Sequence, residues 1–218
     1  MTTLPRSASV AHREGTGAKL FAPSAARNTA PIVALLSEVA PPGGRALEIA
    51  SGTGQHIVAL AAAIPQTEWF PSDIAEDRLA SIAAYAAEAR LANLHPATRL
   101  DACTVGWADR LGPFGMIHVI NLLHLIPTDA ARTVISEAAQ ALLPGGRLVL
   151  YGPFLRSGQA TSPGDLSFDA QLRASDPAIG YKDDIWIETC LQGAGLLLED
   201  VRKMPSNNLA FIATKDQR

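Results

Sequence analysis

The stretch from Arg45 to His56, R-A-L-E-I-A-S-G-T-G-Q-H, sets a carboxylate, Glu48, just ahead of the small residues Ser51, Gly52, Thr53 and Gly54. Small side chains let a backbone turn approach a ligand closely and adopt positive φ where needed. A helix starting near Gln55 would aim its N–H groups and positive dipole end at the same place. This is the chemistry of a cofactor loop, and the plainer alternative is any glycine-rich turn between strand and helix. A second acid, Asp73, follows 25 residues after Glu48. At the end of a neighbouring strand such a carboxylate can accept hydrogen bonds from both ribose hydroxyls; otherwise it serves as an acid favoured by a helix N-terminus. Asp101 follows at the next strand end, by itself an ordinary loop acid. An adenosine-containing cofactor is favoured. The position where a dinucleotide fingerprint wants its third glycine holds the branched Ile57, which counts against NAD or FAD.

Strand ends must position these groups. Arg45 to Ile49 reads as a short buried strand, and Ile57, Val58, Leu60, Ala61 and Ile64 as a helix that Pro65 stops. Thr67 to Pro71 is a second strand, Glu76 to Leu94 an alanine-rich helix, and Ala97 to Leu100 a weak third strand. Met116 to Asn121 is almost continuously apolar, as a central parallel strand buried on both faces should be, and it delivers Asn121 and then His124 to the rim. Thr128 caps the next helix, whose stripe is Val134, Ile135, Ala138 and Leu142. That helix ends at Pro-Gly-Gly, which leads into a fifth strand, Arg147 to Tyr151. Asp183 to Ala194 reads as a helix. Leu196 to Met204 and Leu209 to Thr214 form a hairpin bridged by Pro205 to Asn208, which faces the rim of Glu48 and Asp73 if the sixth strand is parallel to the first five. Ahead of all this, Ile32, Leu35, Leu36 and Val39 mark a helix with Pro31 at an early position. The architecture expected is α/β, a Rossmann-like doubly wound seven-stranded mixed sheet, with residues 21–218 as a single domain. Residues 1–20 read as a flexible N-terminal arm or flap over the site. Periodicity fades around 153–182, where Phe168, Asp169 and Arg173 fall in a long loop expected to act as a lid.

Composition bounds the function. The chain has 218 residues, 48% hydrophobic and 18% charged, with a net charge of −3, as a soluble globular protein should. No broad basic face points to nucleic acid. Two cysteines, Cys103 and Cys190, make no disulfide framework, and neither they nor the five histidines form a metal-ligand cluster. No metal is therefore expected, and a reducing, cytoplasmic compartment is. The N-terminus lacks the apolar core of a signal peptide. The apolar run from Met116 to Ile126 is too short and too polar to cross a bilayer. Oligomeric state stays open.

The loop resembles the first motif of class I S-adenosylmethionine-dependent methyltransferases, with Glu48 in the acidic place and Ala50, Gly52 and Gly54 in the glycine places. The resemblance widens along S-A-A-R-N-x-x-P-I (Ser24 to Ile32), W-F-P-S-D (Trp69 to Asp73), I-N-L-L-H-L-I-P (Ile120 to Pro127), Y-G-P-F (Tyr151 to Phe154), F-D-x-x-L-R (Phe168 to Arg173) and M-P-S-N-N (Met204 to Asn208). Together these are similar to the methyltransferase-like protein 26 family, also catalogued as a bacterial domain of unknown function. Gly164-Asp165 stands where that family typically has Ser-Asn, and Ile179 where it has Trp. The resemblance implies S-adenosyl-L-methionine as cofactor, with Gly52 and Gly54 admitting its methionine part and Glu48 orienting the loop. Asp73 would hold the ribose and Asp101 the adenine, so three carboxylates are expected to converge on one rim.

For the acceptor, expected to be a small molecule, Asn121 and His124 are the catalytic candidates, and Asn121 is expected to contact the cofactor as well. Arg27, Asn28, Tyr151, Phe168, Asp169, Arg173, Asn207 and Asn208 are the lid or rim candidates. Each has a structural alternative: Asn121 satisfying a strand end, His124 filling core, Asp169 with Arg173 an i, i+4 pair. Arg27 and Asn28 could close over the cofactor or merely cap a helix. A non-catalytic sensor of S-adenosylmethionine or its demethylated product remains the alternative function.

Overall fold

The computed structural model describes residues 11–13 and 17–217. Seven strands, β1 (Arg45–Ile49), β2 (Glu68–Asp73), β3 (Thr98–Arg99), β4 (Phe114–Ile120), β5 (Leu142–Gly152), β6 (Leu196–Lys203) and β7 (Leu209–Lys215), form one sheet in the order β6-β7-β5-β4-β1-β2-β3. The first five strands are parallel, and β7 runs antiparallel between β5 and β6. β6 is thus parallel to the first five, and the Pro205 to Asn208 turn shares the rim where β1 and β2 end.

Helices cover both faces. α1 (Pro23–Val39), α2 (Gln55–Ala63) and α3 (Glu76–Ala89) lie on one side, packing Leu36, Leu60 and Ile82 against Ala46 and Met116. α4 (Ala108–Leu111), α5 (Thr128–Ala141) and α7 (Asp184–Gly193) lie on the other, against Leu47, Ile49 and Leu148. The buried Ala131, Val134, Ile135 and Ala138 of α5 recur at helical spacing and form the apolar stripe that docks it.

Several elements differ from the sequence reading. Thr128 is the first residue of α5 and not its cap, and α5 stops at Ala141, so that Pro144-Gly145-Gly146 lies within β5. α1 begins at Pro23, so Pro31 lies inside the helix rather than early in it; its ring removes the N–H that would have bonded the Arg27 carbonyl. α3 stops at Ala89, with Arg90 left-handed at φ 51°, instead of continuing to Leu94. Asn93 draws the chain away: its amide donates to the carbonyls of Ala61 at 3.0 Å, Ile64 at 3.3 Å and Thr67 at 3.0 Å. Most of the stretch expected to be a long loop is ordered as α6 (Pro163–Ser175), flanked by a parallel pairing of Phe154–Leu155 with Lys182–Asp183. Ser162 caps α6 by accepting from the Asp165 N–H at 3.2 Å.

Of the expected N-terminal arm, residues 1–10 and 14–16 lie outside the described residues. The described part pairs His12–Arg13 with Leu20–Phe21 and docks on α3, where the Leu20 N–H donates to Ser81 Oγ at 2.9 Å. Among the described residues no helix is long and apolar enough to cross a membrane.

Candidate functional site

Two clefts open side by side on the strand-end rim. The first, of about 350 Å³, has the Ala50 to Thr53 loop and His56 on one side, Asp73, Ile74, Ala75 and Arg78 on a second, and Ile120, Asn121, Leu122 and Leu125 as floor. Ala11, Ala22, Ser24 and Ala25 line its N-terminal side. Asp73 organises this loop: its Oδ2 accepts the Gly52 N–H at 2.9 Å and its Oδ1 the Ala75 N–H at 3.0 Å. Burial raises the Asp73 pKa, against the opposing pull of those N–H groups and the Arg78 charge. A carboxylate offers about four lone-pair sites, so acceptor capacity remains on both oxygens. His56 Nε2 donates to the Ala25 carbonyl at 3.2 Å, tying α2 to the first turn of α1. Burial holds the His56 pKa below its ordinary value.

The three acids do not converge. Glu48 shares the face of Ala46 in β1, since alternate residues of a strand point the same way. It is 1% exposed, under the α1 to α3 layer. There its Oε1 meets Nε2 of His118, its register partner in β4, at 3.2 Å. Its Oε2 and the His118 Nδ1 have no hydrogen-bond partner among the described residues. The Glu48 backbone does reach the loop, its carbonyl accepting from Ser72 Oγ at 2.8 Å and from Ser51 Oγ at 3.4 Å. Asp101 is exposed and turns back to accept the Cys103 N–H at 3.0 Å; it lines neither cleft. Gly54 is also absent from the walls. A Cβ there would lie 3.0 Å from Ile82 Cα, so this glycine allows α2 to approach α3. Ala50, by contrast, lines the cleft while holding φ 56°, a region that is costly for any residue with a Cβ.

The second cleft, also of about 350 Å³, shares Ser24 and Asn121 with the first. It is lined further by Arg27, Asn28, His124, Pro153, Asp165, Phe168, Tyr181, Ser206 and Asn208. Asn121, left-handed at φ 56°, stands at the end of β4, where its N–H bonds the Tyr151 carbonyl at 2.8 Å. His124, Phe168 and Tyr181 form a wall of three rings, each pair T-shaped with centroids 6.0 Å apart. Burial, with the Lys182 charge adding to it, pushes the His124 pKa down to about 3, so this imidazole is neutral at physiological pH.

Four expected rim residues line neither cleft. Asp169 and Arg173 form the i, i+4 pair at 2.8 Å and together clamp the Tyr181 backbone. Asp169 Oδ1 accepts the Tyr181 N–H at 2.6 Å, and Arg173 donates to the Tyr181 carbonyl at 3.0 Å. Tyr151 is buried, its hydroxyl accepting from the Asn208 amide at 3.2 Å, and burial raises its pKa. Asn207 donates to Asp165 Oδ2 at 2.9 Å. The sequence reading missed Ser24, His56, Tyr181 and Ser206, none of which sits at a strand end. A third groove, of about 330 Å³ beside Arg132 and Cys190, lies away from all of these residues.

Solved structures share this fold. An O-methyltransferase family protein from Burkholderia thailandensis superposes with a TM-score of 0.76 at 18% identity, over 88% of this chain and 57% of that one. An O-methyltransferase family 2 protein from Planctomyces limnophilus, solved with apigenin, gives 0.70 at 20% identity over 88% and 60%. Magnesium protoporphyrin IX methyltransferase from Synechocystis, solved with bound S-adenosylhomocysteine (SAH), gives 0.68 at 18% identity over 87% and 83%. The fold is that of the class I S-adenosylmethionine-dependent methyltransferases, a Rossmann-like mixed seven-stranded sheet. The chain spans less than two thirds of the length of the first two of these structures. By sequence it belongs to the family described as protein of unknown function (DUF938), whose model matches residues 19–215.

Proposed function

We propose that this protein is an S-adenosylmethionine-dependent methyltransferase acting on a small-molecule acceptor. The observation that carries this is the shared wall: two clefts of molecular size meet at Ser24 and Asn121, as cofactor and acceptor sites must if a group is to pass between them. The first cleft fits the cofactor on its own chemistry. Asp73 keeps acceptor capacity for ribose hydroxyls, Ile74, Ile120, Leu122 and Leu125 are apolar flanks for a purine, and Ala50 to Thr53 present little more than backbone.

Bound there, S-adenosylmethionine would supply a methyl group on a positively charged sulfur. The chain's part is then positioning and exclusion of water. Asn121, which lines both clefts, orients the acceptor atom. His124, with a pKa of about 3, is a poor general base near neutral pH, where the best catalytic pKa lies close to the operating pH. It serves as a neutral wall, and the acceptor's proton leaves to solvent or is absent from the start. Of the N-terminal arm, Ala11 borders the first cleft, and 153–182 is the acceptor-side insertion of a single domain spanning 21–218. The motif likeness to methyltransferase-like protein 26 supports this reading. The two free cysteines fit a reducing, cytoplasmic setting.

The test is transfer of a radiolabelled methyl group from S-adenosylmethionine into a metabolite extract, with SAH binding followed by calorimetry. Binding without transfer favours a sensor. No binding removes the cofactor assignment.

A further inference from the structure

Two charged side chains line the acceptor cleft, Arg27 and Asp165. Asp165 is already engaged. Its Oδ2 accepts from Ser162 Oγ at 2.7 Å and from the Asn207 amide at 2.9 Å, its Oδ1 from the Tyr181 hydroxyl at 3.4 Å, and the Arg156 charge lies close by. Arg27 is different. It is exposed on the second turn of α1 and forms no ion pair among the described residues. The same cleft is lined by the ring wall of His124, Phe168 and Tyr181, which favours a planar π-bearing ligand.

We propose that the acceptor cleft takes an aromatic molecule carrying an anionic group, the anion pairing with Arg27 and the ring packing on Phe168 and Tyr181. This rests on reading the adjoining cleft as the cofactor site. A planar guanidinium pairs with a carboxylate through two parallel N–H bonds, and the Asn28 amide beside Arg27 adds a neutral donor. The methionine carboxylate of the cofactor is the other anion Arg27 could meet. Arg27 lines the acceptor cleft and not the cofactor cleft, which favours the acceptor.

The experiment uses full-length protein saturated with SAH, titrated calorimetrically with benzoate and with benzamide, an uncharged molecule of nearly the same shape. Benzoate should bind at least about tenfold more tightly, the least expected of one charge-assisted pair. In Arg27→Gln that gap should close while SAH affinity and melting temperature stay at wild-type values; Phe168→Ala should weaken both probes. Equal affinities for the two probes in wild type, or no measurable binding of either, overturn the proposal. So does a loss of SAH affinity in Arg27→Gln, which would assign Arg27 to the cofactor. Failure of wild type to bind SAH is a separate result that removes the underlying cofactor reading.

Discussion

Asp73 has one observed role and one proposed role, which a single substitution would confuse. It holds the glycine loop through the Gly52 and Ala75 N–H groups at 2.9 and 3.0 Å, and it is proposed to accept the ribose hydroxyls. Asp73→Ala removes both, so a weakened affinity proves neither. A cycle separates them: wild type and Asp73→Ala, each titrated with SAH and with its 2′,3′-dideoxyribose analogue. Releasing the loop costs both ligands alike. The hydroxyl contact costs only the ligand that has hydroxyls, and a hydrogen bond to a charged acceptor contributes about 1.5–3 kcal/mol. The expected coupling is therefore about 10- to 150-fold in dissociation constant for one such bond, and more if both hydroxyls engage. The assay is isothermal calorimetry, with melting temperature as a check that the apo variant folds. Parallel losses for the two ligands, with no coupling, would refute the ribose role and leave Asp73 as a loop prop.

Gly180 holds φ +133°, and a Cβ there would lie 2.7 Å from both Arg173 Cζ and Asp169 Oδ1. Gly180→Ala should cost roughly 2–4 kcal/mol in denaturant unfolding through strain and a displaced clamp, with SAH affinity unchanged; a variant as stable as the parent contradicts the clamp. Ala50→Gly should relieve about 1–2 kcal/mol of left-handed strain, offset by about 0.4–1 kcal/mol of unfolded-state entropy, so net stabilisation is expected and clear destabilisation counts against it. The His124 pKa lies at about 3 in the fold against 6.5 ordinarily, so its contribution to stability is complete above pH 6.5 and is lost as pH falls toward 3. The slope reaches at most about 1.4 kcal/mol per pH unit, and His124→Gln should flatten it in acid unfolding curves; an unaltered slope argues that His124 is solvated. Lys182, lowered to about 8 from 10.5 mainly by burial, has the same sign in a different window. Its contribution is complete above pH 10.5 and falls away by pH 8, so Lys182→Met should flatten the alkaline limb.

Strand ends were legible because an apolar run that stops abruptly marks where a buried strand meets the rim. Gly52, Asp73 and Asn121 follow from that logic, and the structure brings all three to one cleft. Glu48 did not follow. In a strand buried on both faces, apolar residues fill both parities, so nothing in L-E-I-A tells which way the carboxylate turns. Gly54 was misassigned for a related reason: a glycine required by a neighbouring helix reads the same as one required by a ligand. Asp101 was misassigned because a loop acid that accepts its own turn's N–H reads the same as one that meets a ligand. The α6 helix was hidden because it buries only Asp169 and Leu172, too little for a hydrophobic period, although Ser162, Pro163 and Asp165 spell a capped start. Tyr181 was out of reach, since its place depends on partners 12 and 8 residues away.

Leu172, Ile179 and Tyr181 form a small core of their own, with Leu125, Leu155 and Phe168 packed against it. The segment that bears Phe168 and Tyr181 of the ring wall thus has a small core of its own beside the two on the faces of the sheet, to one of which it contributes Phe154. Under the proposed function, evolution can therefore retailor acceptor recognition by exchanging residues between 153 and 182, while the loop and floor proposed to hold the nucleoside are left as they were. Relatives in the same family should accordingly diverge in diet before they diverge in donor.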